Sequence, residues 1–295
     1  MKILIIGGNG YIGSSLYLKC KELGYDVHSI DLCLFGTNYG YSQIINYNDF
    51  DIKDYTHIIL LAAYSSVSMA ENNKFAAWET NVNYFFNICD KLRKDQVLIY
   101  ASSASVYGKT NDVCFESNIN TSPINFYDLT KITDDIIANK FISEGKQLVG
   151  LRFGTLNGYS ENIRSDLMIN SMYYTSVIEN KSIYIKNKSI SRSILSIKDC
   201  VNAISAILSS PKIITGQFNL KSFDSTVDEI SKVVSTMFSS TVEYVQDDPP
   251  EKIYDYKISS ELFSNTYNYI FTDTIEDVCL SLMTTKDKLK FSKRD

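Results

Sequence analysis

Lys2-Ile3-Leu4-Ile5-Ile6-Gly7-Gly8-Asn9-Gly10-Tyr11-Ile12-Gly13 decides the fold. Lys2–Ile6 is short, continuous and isoleucine-rich, as a strand buried on both faces must be. The glycines that follow satisfy both Gly8-x-Gly10-x-x-Gly13 and Gly7-x-x-Gly10-x-x-Gly13. Over residues 13–23, Leu16, Leu18 and Leu23 stand at helical spacing, and Gly24 sits where a helix stops. A strand-loop-helix of this kind needs glycine for a tight turn, for backbone that approaches a pyrophosphate without a Cβ, and for close packing of helix on strand. The helix N-terminus adds free N–H groups and the positive end of a dipole. Asp31 closes a second strand, 26–32, about 20 residues further on, where a carboxylate accepts from the adenosine ribose. It would repel a 2′-phosphate, and no arginine lies nearby. The stretch therefore predicts NAD in preference to NADP.

Outward from this unit, strands and helices alternate. Continuous apolar runs at 58–63, 97–101 and 148–153 read as buried strands. Between them, residues 79–94 carry a Val82/Phe85/Phe86/Cys89/Leu92 stripe, and 126–143 read as a second long helix. Such alternation predicts an α/β fold, a doubly wound parallel sheet of the Rossmann type. After residue 155 the regularity weakens. Helical patterns at 166–180, 199–209, 226–239 and 274–284 are separated by short strand-like pieces at 182–185 and 217–220. We divide the chain into 1–155, a cofactor domain, and 156–295, a smaller mixed substrate lobe interleaved with it. The charged segment 286–295 is expected to fray.

Composition narrows the function. A formal charge of −5 lacks the basic face that nucleic acid requires. Six cysteines without a CxxC pair and two histidines, His28 and His57, give no zinc-site spacing. We expect no metal and reduced, mostly buried thiols. The N-terminal apolar run is too short for a signal peptide, and no stretch reaches membrane-spanning length, so the cytoplasm is the expected compartment.

Tyr127 and Lys131 stand four apart and share one face of the 126–143 helix. Tyrosine ordinarily ionises near pH 10. A neighbouring ammonium, and a nicotinamide ring that is positive when oxidised, favour the phenolate. Tyr127 is then placed to take a hydroxyl proton while hydride leaves for the ring. Bare Tyr-x-x-x-Lys is a weak signal in a chain with 21 tyrosines. Its context strengthens it, because the strand at 97–101 runs into a small-polar cluster in which Ser103 sits at the strand's C-terminal end, where open α/β sheets bind ligands.

These segments together resemble the extended short-chain dehydrogenase/reductases, in the nucleotide-sugar epimerase/dehydratase family that includes UDP-galactose 4-epimerase. The likeness runs through GGNGYIGSSL at 7–16, LLAAYSSV at 60–67, YASSASVYG at 100–108, FYDLTK at 126–131, LRFGTLNG at 151–158 and ISRSILSIKD at 190–199. It implies Ser103, Tyr127 and Lys131 as the catalytic residues. It implies Gly7, Gly10, Tyr11, Ile12, Gly13, Asp31, Leu61, Ala62, Ala63 and Asn81, with Tyr127 and Lys131, as the NAD site. For a nucleotide-diphosphate sugar it implies Ser65, Ser103, Ser105, Tyr127, Asn170 and Arg192, the last at the diphosphate.

The chain departs from the family in places. Residues 32–57 are short, so the third strand and helix must be compressed, and only Asn46, Tyr47 and Asp49 offer themselves to adenine. Gly154 replaces an asparagine, and Leu195 a frequent histidine or tyrosine. Ala104-Ser105 stand where the family's 4,6-dehydratases carry an Asp-Glu pair, and Ser105 stands where ketosugar 3,5-epimerase/reductases carry a cysteine. The simplest expectation is 4-epimerisation. A 4-ketoreductase needs the same residues, a 4,6-dehydratase more, and a catalytically silent NAD- or nucleotide-binding protein fewer. The resemblance also implies a homodimer built on the 79–94 and 126–143 helices, with Tyr84, Ile88, Ile132, Ile136 and Phe141 as further apolar positions. Asp128, one residue along from Tyr127, is expected to matter little.

Overall fold

The computed structural model describes residues 1–36, 39–45, 50–110, 112–118, 123–249 and 255–284. β1 (Lys2–Ile6) has residues 3–6 fully buried, and α1 (Tyr11–Glu22) follows it directly. The chain then runs through β2 (Asp26–Asp31), β3 (Gln43–Ile44) and β4 (His57–Leu60). Helices α2 (Val67–Asn72), α3 (Lys74–Trp78) and α4 (Tyr84–Lys91) precede β5 (Val97–Ser103) and the short β6 (Val113–Cys114). Next come α5 (Phe126–Ser143), β7 (Gln147–Phe153), β8 (Thr155–Asn157), α6 (Met168–Tyr173), β9 (Ile183–Ile185), β10 (Ser191–Ser196) and α7 (Ile197–Ser209). The chain finishes with β11 (Gly216–Leu220), β12 (Phe223–Thr226), α8 (Val227–Phe238), β13 (Val242–Tyr244), β14 (Lys257–Ile258), α9 (Glu261–Tyr267) and α10 (Ile275–Met283).

Seven strands form one sheet in the order β11-β7-β5-β4-β1-β2-β3, and every pairing is parallel. The order reverses at β1, with β2 on one side and β4 on the other. A crevice for ligand opens at such a reversal, at the carboxyl ends of the strands. Parallel pairing buries both faces, and two apolar cores result. One packs α1, α7 and the later helices on the sheet, the other packs α4 and α5 against its opposite face. A smaller sheet, β12-β10-β8, stands beside the strand ends.

The expected α/β architecture is therefore present, with local differences. β3 keeps only two residues, paired Ile30 to Gln43 and Asp31 to Ile44, which is how the shortened segment is accommodated. The expected 79–94 helix instead starts at Lys74 and passes through one π-helical turn, Glu79–Asn83, before α4. A second π turn, Tyr174–Ile178, ends the expected 166–180 helix. α2 and α9 had no clear sequence signal. β11 and α7 lie beyond residue 155, yet they extend and cover the large sheet. Cysteines 20, 89, 114, 200 and 279 are buried, and Cys33 is half-buried. No helix among the described residues is long and apolar enough to cross a membrane.

Candidate active site

Gly7 leaves β1 at φ +95°, and its N–H donates to the Ile30 carbonyl at 2.9 Å. A Cβ on Gly7 would lie 2.5 Å from the Ala62 nitrogen, and one on Gly13 would lie 2.1 Å from the Gly7 oxygen. The loop is thus closed to side chains from two sides. Gly10 caps α1 in extended conformation without a side-chain acceptor, so the first-turn N–H groups stay available to an anion. Leu61 and Ala62 hang from the end of β1, their N–H groups donating to the Ile6 carbonyl at 2.8 and 3.0 Å.

Asp31 ends β2 beside this loop. Its carboxylate accepts from the N–H of Asn9 at 2.9 Å and of Cys33 at 2.7 Å. Asp31 lines a cavity of about 540 Å³ with Gly7, Asn9, Ala62, Thr80 and Tyr84. Asn46, Tyr47 and Asp49 lie outside the described residues.

A second cavity, of about 360 Å³, meets the first at Gly7 and Gly10. Ser103, Tyr127 and Lys131 all line it, as do Tyr11, Ile12, Gly13, Leu61 and Ala63. Ser103 stands at the carboxyl end of β5 and donates from Oγ to Ser105 Oγ at 2.9 Å. Tyr127 sits in the first turn of α5, which is fixed twice. Asn125 Oδ1 accepts from the Asp128 N–H at 3.0 Å, and Glu71 Oε1 accepts from the Phe126 N–H at 2.8 Å. One turn on, Lys131 Nζ donates to the Ala101 carbonyl at 3.0 Å and to Asp134 Oδ2 at 3.1 Å. Burial works against the Lys131 ammonium. The charges of Asp134 and Tyr127 outweigh it and hold its pKa above the ordinary lysine value.

Other expected residues fall differently. Asn81, in the π turn, grips backbone. Its Oδ1 accepts from the Tyr64 N–H at 2.8 Å and its Nδ2 donates to the Tyr64 carbonyl and to Thr130 Oγ1. It fixes the segment after β4 against α5 and lines neither large cavity. Ser65 lines the second cavity, and Ser105 lies behind Ser103. Asn170 is fully buried away from both cavities. Its amide accepts from the Gly158 N–H and donates to Tyr11 Oη and the Arg164 carbonyl. It supports the cavity wall without reaching the space a substrate would occupy. Arg192 is on β10, with its guanidinium 6.0 Å from the Tyr256 ring centroid, and Tyr256 lines the cavity. Asp128 is fully buried and accepts from the Ile124 N–H at 3.3 Å, so it is no neutral position.

The NAD dependent epimerase/dehydratase family matches residues 3–220 of the chain. The chain belongs to that family. The family is NAD dependent, and the cofactor is NAD. Among relatives, the ADP-L-glycero-D-manno-heptose-6-epimerase of Brachyspira hyodysenteriae is 27% identical over 272 residues, 82% of this chain and 83% of its own length. Among solved structures, the UDP-glucose 4-epimerase of Thermotoga maritima superposes with a TM-score of 0.86 at 19% identity, covering 97% of this chain and 99% of the other. The UDP-glucuronic acid 4-epimerase of Bacillus cereus, in complex with UDP-glucuronic acid and NAD, gives 0.82 at 20% identity, covering 95% and 97%.

The residues present in this family member fit the cofactor. The loop excludes a Cβ where pyrophosphate must approach, Asp31 faces the adenosine-side cavity, and Lys131 lines the other. Two further cavity residues, Arg164 and Tyr256, carried no sequence signal strong enough to single them out, and a third, Gly154, stood out only for its missing asparagine. Arg164 pairs with Asp166 and also donates to Ser65. Tyr256 arrives from far along the chain. Gly154, missing its asparagine, has β10 and β11 against it, since a Cβ there would lie 2.7 Å from the Ser193 carbonyl oxygen.

Proposed function

We propose that this chain epimerises a nucleotide-diphosphate sugar by transient oxidation and re-reduction at C4. One observation carries the reading. Ser103, Tyr127 and Lys131 share a single cavity with the cofactor loop, and Asp166, the carboxylate lining that cavity, is already paired with Arg164.

Tyr127 takes the proton of the C4 hydroxyl as the carbon is oxidised and returns it on reduction. Lys131 stands one turn on along α5 and lines the same cavity. Ser103 holds the same hydroxyl by a hydrogen bond. Bound NAD supplies the hydride acceptor and, once reduced, the donor. The 4-keto sugar must turn over in the site before its other face is reduced. Elimination would need a further acid and base, and Ala104 and Ser105 follow the serine instead. Neither His28 nor His57 lines the cavity. The names of the relatives agree with the class: ADP-heptose and UDP-sugar epimerases recur among them.

In this reading the lobe 156–295 holds the sugar nucleotide, with Arg192 at the diphosphate, Ser65 near the sugar and Ser105 acting through its hydrogen bond with Ser103. We place the enzyme in the cytoplasm as a homodimer. Of the positions expected on the dimer face, Tyr84, Ile88 and Phe141 are buried in the protomer's own core. Ile136 and Phe86, 63% and 47% exposed, are left to meet a partner. A 4-ketoreductase would use the same residues. Incubation with UDP-, GDP-, CDP- and dTDP-sugars distinguishes the readings. C4-inverted product without external reductant supports epimerisation. Turnover only of a 4-keto sugar with added NADH, or loss of water at C6, overturns it.

A further inference from the structure

Asp134 is 2% exposed in its side chain, lies one turn past Lys131 on α5, and forms an ion pair with it at 3.1 Å. Its second oxygen, Oδ1, has no hydrogen-bond partner. A carboxylate in this state is expensive to keep. Burial pushes its pKa up, and Lys131 pulls it back only in part. A buried ion pair is poor stabilisation compared with apolar side chains of similar size, so packing alone does not explain the residue. What the pair does accomplish is visible at Lys131. An ammonium has three N–H groups. Asp134 and the Ala101 carbonyl hold two of them, and the residue still lines the catalytic cavity.

We infer that Asp134 is a positioning residue for the reaction: its buried carboxylate is the counter-charge that keeps Lys131 protonated and fixes the ammonium with one N–H left for the cavity. This rests on the reading of Tyr127 and Lys131 given above. The groups facing the pair are few. On α5 they are Tyr127 and Asp135. From β5 comes Tyr100, whose hydroxyl donates to Asp135 Oδ1, and from β7 comes Arg152, ion-paired to Asp135 Oδ2. From α4 comes Cys89, a buried thiol on which the charge of Asp134 acts. Asp135 is thus neutralised by its own arginine, and Asp134 answers to Lys131.

Removing the charge has a definite sign. With asparagine at 134, burial dominates at Lys131 and favours the neutral amine. Lys131 then discharges at lower pH.

The test reads Lys131 itself. Lysine labelled with 13C at Cε is incorporated, the Lys131 signal is assigned by its loss in Lys131→Met, and the NAD-loaded protein is titrated without sugar. In the wild type, Lys131 should stay charged past the ordinary lysine range. In Asp134→Asn it should titrate lower by about one pH unit or more, and Asp134→Glu should restore most of the difference. A wild-type Lys131 that titrates at or below an ordinary lysine overturns the proposal, whatever Asp134→Asn does. Unchanged titration in a folded Asp134→Asn overturns it equally. Because no substrate is present, these outcomes are separate from a failure of the sugar assignment.

Discussion

Arg164 bonds Ser65 twice, from Nη1 to the hydroxyl at 3.2 Å and to the carbonyl at 3.3 Å. The loop after β8 is thereby tied to the segment after β4 in the wall of the second cavity. The guanidinium is held from the other side by Asp166, at 2.5 Å, with the Arg164 side chain only 9% exposed. A cation fixed so firmly in the wall of a cavity suits an oxygen-rich substrate.

Arg164→Met should therefore raise KM for the sugar nucleotide by about ten- to a hundredfold, the value of one charged hydrogen bond. NAD affinity should stay within a few-fold, because Arg164 does not line the adenosine-side cavity. Steady-state kinetics and NAD titration check both. An unchanged KM would remove Arg164 from the substrate's contacts.

Asp31 should govern cofactor choice. Asp31→Ala is expected to weaken NAD(H) by about tenfold or more, since it removes a charged acceptor. It should also narrow the preference over NADP(H). The variant gives up the bonds from the Asn9 and Cys33 N–H groups as well, so some loosening of the loop will accompany the change. Equal binding of NADP(H) by the wild type, read by fluorescence titration, would contradict the assignment.

The cofactor half of the site was legible because its sequence pattern records hard exclusion. Glycine at 7 and 13 is forced by atoms closer than 3 Å to any Cβ. That Ser103, Tyr127 and Lys131 would share a cavity was legible for a related reason: the end of β5 and one helical turn of α5 fix their spacing. What stayed hidden depended on small rotations or on long-range approach. A π turn displaces later side chains around the helix axis, and no apolar stripe announces it. Within α4 itself the buried stripe runs through Tyr84, Phe85, Ile88 and Cys89, so Tyr84 and Ile88, which the sequence reading puts on a free face, are buried, and Phe86, which it puts in the core, is exposed. Asn170 has the polarity of a ligand contact, yet its burial is decided by Tyr11, Gly158 and Arg164, all distant from it in local pattern. Arg164 and Asp166 stood in plain view two residues apart, but only the fold brings their loop to Ser65.

Assembly can be tested on the exposed positions. Phe86→Glu combined with Ile136→Glu places charge on the outer faces of α4 and α5. If these helices meet a symmetry mate, light scattering at micromolar concentration should show a dimer for the wild type and a monomer for the variant. Far-UV circular dichroism should be unchanged, because Ile136 is exposed and Phe86 is about half exposed, its ring resting on Phe141 at the edge of the core. A wild-type monomer under the same conditions would count against the dimer.

The central claim is that Tyr127 moves the proton, and the most direct test is Tyr127→Phe on the sugar nucleotide found by the panel. The exchange removes one hydroxyl and leaves the ring in place, so melting temperature and NAD affinity should remain close to wild type. Turnover should fall by roughly two to four orders of magnitude, the loss expected for a positioned acid-base group. Ser103→Ala should cost less, because it removes a hydrogen bond and leaves the proton acceptor in place. Wild-type turnover by Tyr127→Phe would contradict the account, and the chemistry would then have to lie with other residues.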